Sequence, residues 1–456
     1  MVFSSIQFVY IFLPVFLLIY YRAKEKYRNG ILLIGSLVFY SVGSYQNPEH
    51  IAIFIICLVM NYLVGNNIAN SKYRKVWLFV GISYDIGILF YFKYAGFLIK
   101  ECSGMDWNIV LPIGISFYSF QAMSYLWDVY RDTCKAEQSW VRFGAYISMF
   151  PQLIAGPIVT YPAVSKAMRK RPCNMTTFLQ GARLFVFGLG LKVILANQIG
   201  GLFRQAQMIG YESISIPLAW MAIYAYSFQL YFDFYGYSLM AIGLGKMLGF
   251  HLPENFKNPY MSTSMTEFWR RWHITLGAWF REYVYIPLGG NRKGKLRTVI
   301  NLFLVWMLTG IWHGAGYNFV LWGFVLFVLI MMEKSGIKKI LDKHQIIGHM
   351  YMILVIPLTW AIFVNTDLQQ LGMMFQKLFG LIPKESVLFG TDYIKYLHQY
   401  GWLLAAGLLF STPIPRNLIR KFRGSKLELV ILMVIFCTSA YCMARGMDDP
   451  FLYFQF

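Results

Sequence analysis

The chain has 456 residues, of which 57% are hydrophobic, 18% aromatic and only 14% charged, and its mean hydropathy is +0.50. Soluble globular domains do not have such a composition, so the sequence describes an all-α protein that crosses a membrane many times. The formal net charge of +20 does not point to nucleic acid, because the lysines and arginines are dispersed into short loops between apolar segments, as in cytoplasmic loops facing anionic lipid.

Apolar windows at residues 3–20, 51–68, 76–92, 178–199 and 427–444 approach or reach the roughly 18 residues that a spanning helix needs. The first is expected to persist as a span, since basic residues follow it and none precedes it, which is the reverse of a signal peptide. Basic loops at 22–28, 72–75, 166–171, 292–297, 334–339 and 416–426 are assigned to the cytoplasm, whereas 41–50 and 101–108 carry no lysine or arginine. The first four helices therefore alternate, with the N-terminus outside.

That alternation strains further on. Residues 131–135 and 166–171 are both basic, yet a single apolar stretch, 143–159, lies between them. This stretch contains Phe150-Pro151-Gln152-Leu153-Ile154-Ala155-Gly156-Pro157, where two prolines and a glycine break a helix and free backbone groups that lipid cannot satisfy. A re-entrant segment packed inside the protein is the expected solution. Leu111-Pro112-Ile113-Gly114 and Phe234-Tyr235-Gly236-Tyr237 read as similar interruptions. The expectation is one membrane domain over 1–456, with about 11–13 embedded segments, some short, around a central cavity.

Ser264-Met265-Thr266-Glu267 has the spacing of a capping box, so a helix is predicted from Met265. Met265, Phe268, Trp272, Leu276, Trp279 and Tyr283 fall on one face of a continuous helix, and Thr266, Arg270, His273, Gly277 and Arg281 on another. Such a helix lies at the interface or lines a polar funnel. Tyr285-Ile286-Pro287-Leu288-Gly289-Gly290-Asn291-Arg292 is a turn, and its basic end faces lipid headgroups or the phosphates of a donor.

Residues 301–312 and 317–332 are apolar, and His313 lies between them in Gly310-Ile311-Trp312-His313-Gly314-Ala315-Gly316. An ionisable residue at membrane depth is costly, so His313 is the first candidate for function. An apolar pocket favours the neutral imidazole, which is able to take a proton from a hydroxyl. The alternative is a core histidine satisfied by a neighbouring helix. His50, His251, His344, His349 and His398 form no HxxxH or HExxH pair, the six cysteines form no CxxC pair, and no GxSxG or Walker A motif occurs. Metal catalysis and a covalent serine mechanism thus have no support in the sequence.

Phe268-Trp269-Arg270-Arg271-Trp272-His273, Trp279-Phe280-Arg281-Glu282-Tyr283, the Tyr285 to Arg292 turn and Gly310-Ile311-Trp312-His313-Gly314 resemble the signature of the membrane-bound O-acyltransferase family, in its bacterial alginate O-acetyltransferase branch. The motifs at 111–118, 150–157 and 226–234 and the closing residues 450–456 extend the likeness. The resemblance implies that a cytoplasmic thioester, acetyl-CoA or an acyl carrier, supplies an acyl group, with no cofactor permanently bound. The group passes across the bacterial plasma membrane to an extracytoplasmic polysaccharide or cell-wall polymer, and an esterase-like partner outside completes the transfer. Funnels from both faces meet at the catalytic residue. It also implies that His313 is the catalytic histidine and His273 the second characteristic one, with Arg270, Arg271, Trp312 and Asn318 as candidates for substrate contact. Departures are Gln455 where arginine is expected and Glu282 where aspartate is usual. The alternatives are D-alanyl transfer to teichoic acid and a non-enzymatic exporter of a lipid-linked saccharide in which the histidine only gates.

Overall fold

The computed structural model describes residues 1–383 and 386–446, so the closing motif at 450–456, with Gln455, lies outside the described residues. Every regular element among them is helical. Seven helices are long and apolar enough to cross a membrane, Glu49–Asn70, Arg74–Ser103, Met175–Ile209, Lys295–His313, Tyr317–Lys343, Gln345–Val364 and Lys426–Ala444. Four of them contain windows expected from the sequence. The window at 3–20 is instead a shorter apolar helix, Gln7–Arg22. The chain is a multi-pass membrane protein.

Two compact units divide the chain, Met1–Phe187 with Tyr237–Glu254, and Gly188–Gly236 with Asn255–Phe456. In the first, the helices Glu49–Asn70, Arg74–Phe90 and Ile115–Tyr130 pack together, and Arg28–Gly43 packs on Trp140–Ser148. Phe8, Phe12, Phe16 and Phe39 surround Phe150 at ring-centroid distances of 5.1 to 6.2 Å. The two breaks predicted for this unit are present and meet each other. Gly114 has φ +73°, and a Cβ there would stand 2.3 Å from the Leu153 carbonyl oxygen, so only glycine fits. After the single turn Phe150–Leu153 the chain leaves the helix, and the freed groups find partners inside the protein. Phe150 N–H donates to Ser36 Oγ at 3.1 Å, and the Val159 carbonyl accepts from Tyr146 Oη at 2.8 Å. That satisfaction allows irregular backbone in an apolar setting.

Also in this unit, the buried Glu137 carboxylate accepts hydrogen bonds from Arg142, the Ser139 N–H and the Tyr161 hydroxyl. Burial pushes its protonation upward, but these donors outweigh that penalty and hold it below the usual carboxylate value. A depressed value in the folded state stabilises above the unfolded value, and the gain is lost as pH falls through the folded one. Thermal unfolding of the detergent-solubilised protein should therefore show an acid-side loss of stability that Glu137→Gln reduces. An unchanged acid limb in that variant would rule the cluster out as its source.

In the second unit, Lys295–His313 and Tyr317–Met332 form a tight helical hairpin, and Gln345–Val364 packs on its second arm. Two expectations need correction here. Residues 234–237 do not interrupt anything, because they lie inside one continuous helix, Ile216–Met247. Gly236 serves close packing instead, since a Cβ on it would stand 2.7 Å from the Gly188 carbonyl oxygen and 3.0 Å from the Lys192 nitrogen. The helix predicted from Met265 through Tyr283 is in fact broken after Arg271 and resumes at Ile274. The segment at 255–257 takes the backbone bonds that a continuous helix would have used. Lys257 N–H donates to the Arg271 carbonyl at 2.9 Å, and Ile274 N–H donates to the Asn255 carbonyl at 3.0 Å.

Candidate active site

The break presents His273. Its backbone is left-handed, φ +44° and ψ +53°, and it caps the helix Ile274–Phe280. A non-glycine residue held there stores strain that the surroundings must support. The support begins with the preceding helix. Ser264 Oγ accepts from Glu267 N–H at 3.2 Å, the first half of the predicted capping box. Glu267 reaches back to Thr263 instead of Ser264, accepting from its N–H at 2.8 Å and its hydroxyl at 3.1 Å. The remaining N-terminal donors go to a residue that the sequence did not suggest. Buried Glu333 accepts from Met265 N–H, Thr266 N–H and the Thr266 hydroxyl at 2.5, 2.9 and 2.6 Å, a carboxylate at a helix N-terminus where the backbone dipole favours it.

His313 is the last residue of Lys295–His313 and is 6% exposed. Its Nδ1 lies 2.7 Å from the Thr309 carbonyl oxygen. A carbonyl can only accept, so Nδ1 carries a proton, and in the neutral imidazole the lone pair is on Nε2. The ring stands edge-on to Trp312, Trp322 and Phe363 at centroid distances of 4.9, 5.0 and 5.4 Å. The small residues around it have a specific purpose. A Cβ on Gly310 would lie 2.4 Å from the Phe319 carbonyl oxygen, and one on Gly314 would lie 2.1 Å from the Phe319 ring, so the hairpin arms can approach only without side chains there. Gly310→Leu should cost about 1–3 kcal/mol by overpacking and displace Trp322 from His313. A lowered unfolding temperature in lipid or detergent checks this, and an unchanged one would contradict the packing.

His273 is 2% exposed. Phe234 packs edge-on against its ring at 4.7 Å, and Trp312, already against His313, lies 6.4 Å from it. The two histidines thus share one aromatic neighbour within a single unit. Burial, with His313 adding to it, pushes the His273 imidazole well below its ordinary value, so the ring is neutral and accepts a proton or hydrogen bond through one nitrogen. Together the pair can offer two lone-pair nitrogens in a largely apolar enclosure, which suits proton removal from a hydroxyl.

The other candidates separate. Trp312 is buried between the histidines. Arg271 is half-buried in an ion pair with Glu267 at 2.5 Å, and Arg270 is exposed. Asn318 is fully buried and donates to the Phe363 carbonyl at 2.8 Å, tying the hairpin to Gln345–Val364. Sequence reasoning missed Asn255, Trp322, Phe363 and Glu333, because each reaches the site only through tertiary packing and none lies at helical spacing from His273 or His313.

Residues 130–364 match the model of MBOAT, the membrane-bound O-acyltransferase family, and that stretch contains both histidines and every contact described around them. The chain is 34% identical to a probable alginate O-acetylase of Pseudomonas putida over the full length of both. It is 30% identical to a peptidoglycan O-acetyltransferase of Helicobacter pylori over 84% of this chain and 80% of that one. With a teichoic acid D-alanyltransferase of Bacillus subtilis it shares 28% identity over 61% of this chain and 72% of that one. A family match over just over half of the chain, joined to full-length similarity, agrees with the buried histidine pair, and the chain belongs to the membrane-bound O-acyltransferase family as an acyltransferase embedded in a membrane.

Proposed function

We propose that the protein takes an acyl group, acetyl in the first instance, from a thioester on the cytoplasmic side and delivers it to a hydroxyl of an extracytoplasmic polysaccharide or cell-wall polymer. His313 is the general base. Its Nε2 accepts the proton of the attacking hydroxyl as the oxygen bonds to the acyl carbon. The carbon–sulfur bond then breaks, and the proton passes to the departing thiolate, so ester and thiol are the products. The observation that carries this reading is the Nδ1–H bond to the Thr309 carbonyl at 2.7 Å, which leaves Nε2 as the basic nitrogen. Placing both reactants in a water-poor enclosure adds orientation to base strength.

Trp312 is the residue retained as a wall against the acyl group. Asn318 and Arg271 are engaged in holding helices, and Arg270 lies on the exposed side. The hydroxyl belongs either to the polymer or to a relay serine on an extracytoplasmic esterase-like partner. D-alanyl transfer is the second reading, favoured by the similarity to the Bacillus subtilis protein. The test is vesicles containing the purified protein, supplied on one side with isotope-labelled acetyl-CoA or D-alanyl-loaded carrier protein, with ester formation on an oligosaccharide or partner followed by mass spectrometry. Labelled acetyl ester supports the first reading and D-alanyl ester the second. No ester from either donor would overturn the reaction as written.

A further inference from the structure

Asn255 is 1% exposed and lies 18 residues before His273. Its side-chain oxygen is the meeting point of three groups, Thr275 N–H at 3.2 Å, the Thr275 hydroxyl at 3.0 Å and His273 Nδ1 at 3.1 Å. The orientation of this amide follows from chemistry. A backbone N–H can only donate, so the Asn255 atom facing Thr275 N is the oxygen; the flipped amide would set donor against donor. His273 Nδ1 faces that same oxygen and must therefore carry its proton. The lone pair is then on Nε2. The Asn255 nitrogen makes no hydrogen bond among the described residues, so the amide bonds through its oxygen alone. Its backbone carbonyl also accepts from Ile274 N–H at 3.0 Å, which helps to hold the strained turn at His273.

From this geometry we infer that Asn255 is a positioning residue of the acyl-transfer site, fixing His273 in the Nδ1–H tautomer so that Nε2 is an acceptor, as the Thr309 carbonyl does for His313. The inference rests on the proposed reaction, and it makes the two histidines chemically alike. Both bond through Nδ1 to a fixed acceptor, and both present Nε2 to a hydroxyl or to the proton that leaves it. A neutral imidazole with an unfixed tautomer would spend part of its population with Nε2 protonated and unable to accept.

The test joins a direct reading of the tautomer to activity. Nitrogen-15 solid-state NMR of histidine-labelled protein in lipid, with His273→Gln used to identify that residue's signals, should show a protonated Nδ1 and an unprotonated Nε2 at His273. A protonated Nε2 in the neutral wild-type ring would overturn the inference without need of any Asn255 variant. Asn255→Leu removes the acceptor and should lower acyl transfer at least about tenfold, since the wrong tautomer alone is highly costly to histidine catalysis. Asn255→Asp keeps an acceptor of the same shape, so it should restore the Nδ1–H form. Its carboxylate would favour the imidazolium, opposing the effects of burial and of His313, the ionisable group that acts on this ring, and should move the low-pH limb of activity to higher pH. Wild-type activity in Asn255→Leu, or an Asn255→Asp variant as inactive as the leucine one with no shift in its pH profile, would contradict the role. His313→Ala is run in the same assay. If it retains transfer, the reaction itself is misread; if it abolishes transfer while Asn255→Leu does not, only the inference about Asn255 fails.

Discussion

Replacing His313 by alanine should lower acyl transfer by about 10²–10⁴-fold, the contribution of a positioned general base, while the protein should remain in the membrane at normal abundance. The separation of activity from folding follows from how the residue is held. His313 ends its helix, so its imidazole supports no further turn, and its Nδ1 bonds to a carbonyl four residues earlier. Losing that bond costs about 1 kcal/mol, and the space left beside Trp312, Trp322 and Phe363 adds a cavity term. His313→Gln refines the result. Glutamine can fill much of that space and keep a donor near the Thr309 carbonyl, but it supplies no nitrogen base, so it should fold better than alanine and remain as inactive. A glutamine variant with substantial transfer would mean that the residue packs the site and does not act on protons. His273→Gln should leave more activity than His313→Gln if the second histidine assists the first, and equal losses would place the two in one inseparable unit.

The second large effect is on stability. Lys192 and Asp233, 1% and 2% exposed, form an ion pair at 2.8 Å inside the second unit, and Lys192 also donates to Asn197 Oδ1 at 2.8 Å. Both charges are buried, so removing one partner leaves the other without its opposite charge in this pair. Lys192→Met or Asp233→Leu alone should each destabilise by about 3–5 kcal/mol, whereas the double variant should recover most of that loss, because a buried pair often gains little over apolar side chains of similar size. Thermal unfolding of the four proteins in one detergent gives the coupling energy directly. The pair also bears on the site through its neighbour. Phe234 follows Asp233 in the same helix and packs on His273, so the single variants should lose activity along with stability, and the double variant should regain both. Additive losses in the double variant would show that the two charges act separately.

Much of this was legible in the sequence, and the reasons are physical. Four of the spanning helices follow from the length and polarity of their apolar windows, which a bilayer enforces more strictly than water does. The breaks at 111–114 and 150–157 follow from proline and glycine, and His313 stands out because an imidazole between apolar segments is costly. What failed was the reading of local signals whose meaning depends on distant residues. Gly236 looked like a helix breaker and is instead a point of close approach to Gly188 and Lys192. The periodicity from Met265 to Tyr283 looked like one helix, because spacing does not reveal that the 255–257 segment competes for the backbone bonds at Arg271 and Ile274. Glu333 lies about 70 residues from the helix end that it caps, and nothing near either one announces the other. Asn255 carried no signal beyond its identity, since its importance arises only where its oxygen meets His273.

Neutral His313 is proposed to take the proton in an acyl transfer that ends on a polymer outside the membrane. The most direct test is the ester content of the cell's extracellular polymers, measured by ester-specific mass spectrometry in cells lacking the protein and in the same cells complemented with wild type or His313→Ala at equal membrane abundance. Acetyl ester should disappear without the protein, return with wild type and stay absent with the variant. Full ester content restored by His313→Ala would contradict it.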